Sequence, residues 1–200
     1  MNLAKAFFGI ALCFPAVYGQ VYSLGFCQNI PNLMYFQLEP YLGTWYEYAR
    51  FHLNELDGVT CAKSTYSLNT DNTIRVITTG IKRRAGEPVR LKGVGEVFDP
   101  INEPERGQLS YYSTAPVLPK GNYWVLDTDY SSFAVVYSCN QLEKYKVETA
   151  YILLREPVSP SRTLLQYIYS LLQSFGINTR NFIRTNFRSC GRPRRYRYLT

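Results

Sequence analysis

The sequence predicts an all-β fold, an eight-stranded antiparallel up-and-down calyx barrel with one C-terminal α-helix packed outside it. Three observations carry this expectation. Between Trp45 and Arg155 short runs rich in Val, Ile, Thr and Tyr follow one another, separated by turn residues at the spacing of a sandwich or barrel. Within four of the runs charged residues mark one face, which gives those strands one wet face and one buried face. An amphipathic stretch follows the last run and ends at Gly176. Two hundred residues, 46% hydrophobic and 16% aromatic, suffice for one domain with a substantial core and argue against extended disorder.

The first segment, "MNLAKAFFGIALCFPAVYGQ", has one basic residue, an apolar stretch from Ala6 to Ala16, and Val17 and Gly19 at the small positions of a cleavage site. Residues 1–19 therefore read as a signal peptide, too short with these flanks to span a bilayer. Residues 20–40 form an N-terminal lead-in, 41–190 the barrel domain and 191–200 a basic tail. Losing Lys5, the one charged residue of the leader, lowers the net charge from +7 to +6. The tail "GRPRRYRYLT" supplies much of the remainder and reads as solvated; no RNA-binding signature accompanies it. Cleavage also removes Cys13 and leaves Cys27, Cys61, Cys139 and Cys190, an even number suited to two disulfides in an oxidising compartment, with three connectivities open. No CxxC or Cys/His cluster suggests a metal site, and His52 is the single histidine.

The first strand lies in "YLGTWYEYARF", where alternation sets Trp45, Glu47 and Ala49 on one face. "TCAKSTYSL" and "TIRVITTG" flank "NTDN", a hairpin by its turn chemistry. Lys63 facing water turns Ala62, Ser64 and Tyr66 inward, and Arg75 does the same for Ile74, Val76 and Thr78. In "VRLKGVGEVF" the charges at Arg90, Lys92 and Glu96 leave Val89, Leu91, Gly93, Gly95 and Val97 within. "QLSYYST", "NYWVLDTDY" and "SFAVVYSC" follow, with Tyr111 and Tyr137 assigned inward by alternation alone. In "YKVETAYILL", Lys146 and Glu148 send Val147, Thr149, Tyr151, Leu153 and Arg155 inside.

This mixed aliphatic, aromatic and hydroxyl interior differs from a core built for stability alone and suits a barrel that holds one small ligand. The outer face of the last strand is apolar at Ala150, Ile152 and Leu154, so something must cover it. "SPSRTLLQYIYSLLQSFG" supplies the cover: Ser159 can cap, Pro160 suits the first helical position and Gly176 the stop. Leu164, Leu165, Ile168, Leu171, Leu172 and Phe175 make one apolar stripe.

Gly43-x-Trp45 in the first strand, "TDY" at Thr128, Asp129 and Tyr130, and Arg155 after the last strand form an ordered set of three motifs that resembles the lipocalins. "YLGTWYEYARF", "WVLDTDYSSFAVVYSC" and "YILLREP" look most like the branch of apolipoprotein D and the insect bilin-binding lipocalins, over roughly residues 25 to 190. The resemblance implies that Trp45 closes one end of the calyx with the Arg155 guanidinium across its ring, a fold role rather than a ligand contact. It implies disulfides Cys27–Cys139 and Cys61–Cys190. Glu47 then points inward and needs a partner, supplied by tyrosine hydroxyls, Arg155, water or a ligand.

The implied function is a secreted, extracellular carrier that binds a small hydrophobic molecule non-covalently: a bilin, retinoid, steroid or fatty acid. The candidate ligand-binding residues are Tyr66, Val76, Thr78, Leu91, Val97, Tyr111, Tyr137 and Tyr151. No cofactor or metal is required by this reading, and neither nucleic acid nor an integral membrane segment takes part after leader removal. Two rival classes remain open. One is a protein-interaction lipocalin acting through open-end loops, "FHLNELDGV" above all, on a cell-surface receptor or lipoprotein. The other is a lipocalin-type isomerase, which needs a free cysteine thiolate that an even cysteine count does not offer.

Overall fold

The computed structural model describes residues 21–53, 56–102, 105–113, 121–187 and 190. The expected leader, the basic tail and most of the "LPKG" loop lie outside these residues. The elements in chain order are β1 (Val21–Leu24), α1 (Leu38–Tyr41), β2 (Gly43–Arg50), β3 (Val59–Leu68), β4 (Ile74–Lys82), β5 (Pro88–Val97), β6 (Gln108–Ser113), β7 (Gly121–Thr128), β8 (Phe133–Leu142), β9 (Tyr145–Leu154), α2 (Arg162–Ser174) and β10 (Ile183–Arg184). Strands β2 to β9 pair antiparallel with their sequence neighbours, and β9 pairs back onto β2 to close the barrel. The expected eight-stranded calyx with an outer helix is the observed architecture. Two short strands were not legible in the sequence: β1 adds outside β9, and β10 adds to β2.

One end of the barrel is sealed by Trp45, which is fully buried and donates its indole N–H to the Tyr41 carbonyl at 2.8 Å. The Arg155 guanidinium lies 3.7 Å from the centre of the Trp45 ring. It also donates through Nε to the Tyr130 carbonyl (2.8 Å), through Nη1 to the Leu42 and Thr44 carbonyls (2.9 and 3.1 Å), and through Nη2 to the Pro40 carbonyl (2.5 Å). One side chain thus joins α1, the start of β2 and the β7–β8 turn. Gly43 makes this approach possible, since its φ is +94° and a Cβ there would stand 3.3 Å from the Arg155 Nη1. The turn itself is held by Asp129, whose Oδ1 accepts the backbone N–H groups of Ser131, Ser132 and Phe133.

Outside the barrel, Ala150, Ile152 and Leu154 of β9 pack with Ile168 and Leu172 of α2 in one buried cluster, so the helix covers the apolar outer face as expected. The cap, however, is Ser161 and not Ser159: its hydroxyl accepts the Leu164 N–H at 3.1 Å, and Pro160 stays outside the helix. Gly176, at φ +67°, ends the helix.

Two orientation expectations fail. A bulge between Glu47 and Ala49 breaks the alternation of β2, so Ala49 joins Tyr48 in the outer cluster while Glu47 stays inside. Tyr137 also belongs to the outer cluster: it pairs with Ala150, packs near Trp124 and donates its hydroxyl to Glu148 at 2.7 Å. In the uncharged run "SFAVVYSC" alternation had no marker for which face was wet, and Val136 and Ala134 take the inner positions.

The disulfides are Cys27–Cys139, which fastens the lead-in to β8, and Cys61–Cys190, which fastens the C-terminal segment to β3. Each contributes roughly 2 to 4 kcal/mol through the long loop that it closes. For the plug, Trp45→Ala should lower unfolding free energy by about 3 to 5 kcal/mol in a urea titration. An unchanged urea midpoint would remove Trp45 from its structural role.

Candidate functional site

The interior is layered. Its floor is aromatic: Tyr41, Trp45 and Tyr66 pack with Phe36, Ile74, Val76, Leu109, Val125, Ala134, Val136 and Leu153. Three hydroxyls meet there, with Tyr123 Oη 2.8 Å from Tyr41 Oη and 2.9 Å from Tyr66 Oη. Tyr66, Val76 and Val97 therefore sit in or against the floor, beside the plug. Tyr111 packs against the same cluster with its ring 6.5 Å from that of Tyr123. It lies across β5 where residue 93 is glycine, and a Cβ at Gly93 would run into the Tyr111 ring.

Above the floor, Thr78 and Ser64 share a hydroxyl hydrogen bond of 2.7 Å on the inner wall. The β2–β3 connection then folds over the mouth. Its Leu53 and Leu56 are buried with Val59 and Ala62, and Val89, Leu91 and Tyr151 pack against them. Tyr151 contacts both this cluster and the floor cluster, so it spans the height between plug and loop. Thr78, Leu91, Tyr111, Tyr123 and Tyr151 each keep accessible surface although they face the inside of a closed barrel.

Three inner residues escaped the sequence reading. Tyr41 lies before the first strand, and Tyr123 sits where β7 has no charged residue to mark its faces until Asp127. Arg50 turns inward because of the β2 bulge. Its Nη1 donates to Glu47 Oε1 at 2.5 Å, its Nη2 donates to the Leu56 carbonyl, and Arg50 and Glu47 are each about 5% exposed. Glu47 also accepts the Thr185 hydroxyl at 2.9 Å. Thr185 reaches it because the C-terminal segment runs beside β2 where β3 has diverged: Ile183 and Arg184 pair with Arg50 and Ala49, and the Thr185 N–H donates to the Tyr48 carbonyl at 2.9 Å. The partner of Glu47 is thus Arg50, not Arg155, and a buried ion pair with added hydrogen bonds meets the cost of placing a carboxylate there.

Burial pushes the hydroxyls of Tyr41, Tyr123 and Tyr151 well above the ordinary tyrosine range, raises Tyr111, and takes Tyr66 up to about 12. His52 is half-buried in the loop after β2. Among the described residues no group of three His, Cys, Asp or Glu side chains could hold a metal ion.

A family model, the Lipocalin-like domain, matches residues 36–186. The chain belongs to the lipocalin family. Mouse apolipoprotein D is 30% identical over 182 residues, covering 90% of this chain and 93% of the relative. The Lazarillo protein of Schistocerca americana is 30% identical over 142 residues, 69% of this chain and 64% of that protein. Among solved structures, insecticyanin of Manduca sexta superposes with a TM-score of 0.73 at 22% identity, covering 86% of this chain and 91% of that one. Lobster apocrustacyanin A1 gives 0.61 at 21%, covering 73% and 77%. At such identity the two structures establish the lipocalin fold.

The tyrosine layer has a consequence for pH. A tyrosine whose folded pKa lies above its unfolded value of about 10 contributes stability that is fully present below pH 10 and lost as pH rises toward the folded value. Spectrophotometric titration of tyrosine should show a fraction of phenols that ionise only as the far-ultraviolet signal collapses, above about pH 10. Complete ionisation of a still-folded barrel near pH 10 would contradict the buried layer.

Proposed function

We propose that this lipocalin is a secreted, non-enzymatic carrier that holds a small planar or extended hydrophobic molecule, of the bilin, retinoid, steroid or fatty-acid kind, between the Trp45 floor and the β2–β3 loop. The observation that carries the reading is a closed barrel whose inward-facing Thr78, Leu91, Tyr111 and Tyr151 are only partly buried. Apolar wall removed from water supplies most of the affinity, and the hydroxyls of Thr78, Tyr111 and Tyr151 orient the ligand's polar end. Tyr66, Val76 and Val97 serve as floor, and Tyr137, on the outer face, drops out of the ligand set.

A thiolate mechanism finds no support, because Cys27, Cys61, Cys139 and Cys190 are paired. Secretion is supported by the leader pattern and by the two disulfides. No helix among the described residues is long and apolar enough to cross a membrane.

Titration of the mature protein with retinol, a fatty acid and biliverdin, read by tryptophan fluorescence and ligand absorbance, should find at least one ligand at micromolar or tighter Kd. Leu91→Trp should fill the space under the loop and weaken that ligand about tenfold, roughly 1.4 kcal/mol, with little change in Tm. Failure of every hydrophobic compound to bind the wild type would reject the carrier reading.

A further inference from the structure

Arg50 is buried at the upper edge of the inner wall, yet its hydrogen bonding is incomplete. Nη1 holds Glu47 and Nη2 holds the Leu56 carbonyl on the underside of the β2–β3 loop, while Nε has no partner. In a guanidinium the Nε–H and one Nη2–H point the same way along one edge, so an edge built for two acceptors here meets one. An unsatisfied buried N–H is costly, and natural proteins leave few. The strand partner of Arg50 is Tyr151, whose ring spans the space from floor to loop and whose hydroxyl has no hydrogen-bond partner among the described residues. The unpartnered Arg50 Nε and the Tyr151 side chain therefore belong to paired residues of β2 and β9 at the loop end of the inner wall.

The charge already present decides what they can take. Arg50 is neutralised by Glu47, which is itself held by Thr185, so a carboxylate placed on Nε would put a second anion beside Glu47 in a desolvated site. An uncharged oxygen satisfies Nε without that repulsion, as the Leu56 carbonyl already does at Nη2. We propose that Arg50, with Tyr151, is a ligand-recognition residue whose free Nε–H binds an uncharged oxygen acceptor of the carried molecule, a carbonyl or ether-like oxygen, beneath the β2–β3 loop. This assignment rests on the carrier reading and narrows it: the ligand lies with its polar oxygen toward the loop and its hydrocarbon toward Trp45, and neutral oxygenated lipids are favoured over their acids.

The test uses the mature chain and three probes with one hydrocarbon length: hexadecan-2-one, hexadecanoate and hexadecane, each competed against a bound fluorescent lipid at pH 7.5. The ketone should bind about tenfold more tightly than the alkane, the value of one hydrogen bond to a charged donor, and more tightly than the carboxylate. Arg50→Met leaves Glu47 buried and unpaired and can unfold the barrel, so the decisive variant is Glu47→Gln/Arg50→Met, with Tm and circular dichroism as checks on folding. In that variant the ketone should fall to the affinity of the alkane, and the alkane should bind as in the wild type. A ketone preference that survives in the folded double variant overturns the assignment, as does a wild-type preference for hexadecanoate; in both cases the carrier reading stands. Failure of all three probes and also of retinol and biliverdin to bind the wild type overturns both.

Discussion

The guanidinium of Arg155, lying on the Trp45 indole while its nitrogens reach four backbone carbonyls, is the contact on which the rest of the structure depends. A barrel wall needs no plug to complete its own hydrogen bonds, but an open-ended apolar tube would fill with water and lose the burial that stabilises it. Trp45 closes the tube. A stacked cation adds roughly 0.5 to 2 kcal/mol and fixes the ring, and the carbonyls satisfy the donors of a cation that would otherwise be costly in this position. Because these carbonyls belong to α1, β2 and the β7–β8 turn, the same side chain fixes the lead-in over the base of the barrel.

At the other end the wall is completed differently. Strand β2 pairs with β3 only from Gly43 to Tyr46, and beyond that point β10 and Thr185 take over the exposed edge. The segment is held by Cys61–Cys190 and by the Thr60 hydroxyl, which donates to the Asn186 carbonyl at 2.9 Å. This arrangement removes an edge from a sheet that would otherwise be open to pairing with another chain. It also brings a hydroxyl to Glu47 and so stabilises the ion pair on which Arg50 depends. The covalent link near the C-terminus and the polar chemistry at the mouth are parts of one construction.

Most of the barrel was legible because charged residues mark the wet face of a strand. Lys63, Arg75, the alternating charges of β5, and Lys146 with Glu148 oriented β3, β4, β5 and β9 correctly, including the inward Thr78, Leu91 and Tyr151. Where the charges stop, the reading is uneven, for Tyr111 in the uncharged "QLSYYST" does face inward. Tyr137 in an uncharged run went to the wrong face, and Tyr123 was not assigned at all. The bulge in β2 is a backbone event with no side-chain signature in "WYEYARF", and it both moved Ala49 outward and brought Arg50 inside. The strands β1 and β10 are too short to show a period. Of the helix, the apolar stripe and the terminal glycine could be read, whereas the choice between Ser159 and Ser161 as cap depended on a single hydrogen bond.

The account requires that ligand occupy the space between the tyrosine floor and the β2–β3 loop, and no other surface. Methyl-resolved NMR of the 13C-labelled protein, recorded with and without saturating hexadecan-2-one, tests this most directly. The account predicts shift changes and ligand contacts at the methyls of Leu53, Leu56, Val89 and Leu91, with those of Ile152, Ile168 and Leu172 beneath α2 unmoved. Contacts at the outer cluster with the inner methyls unchanged would contradict it.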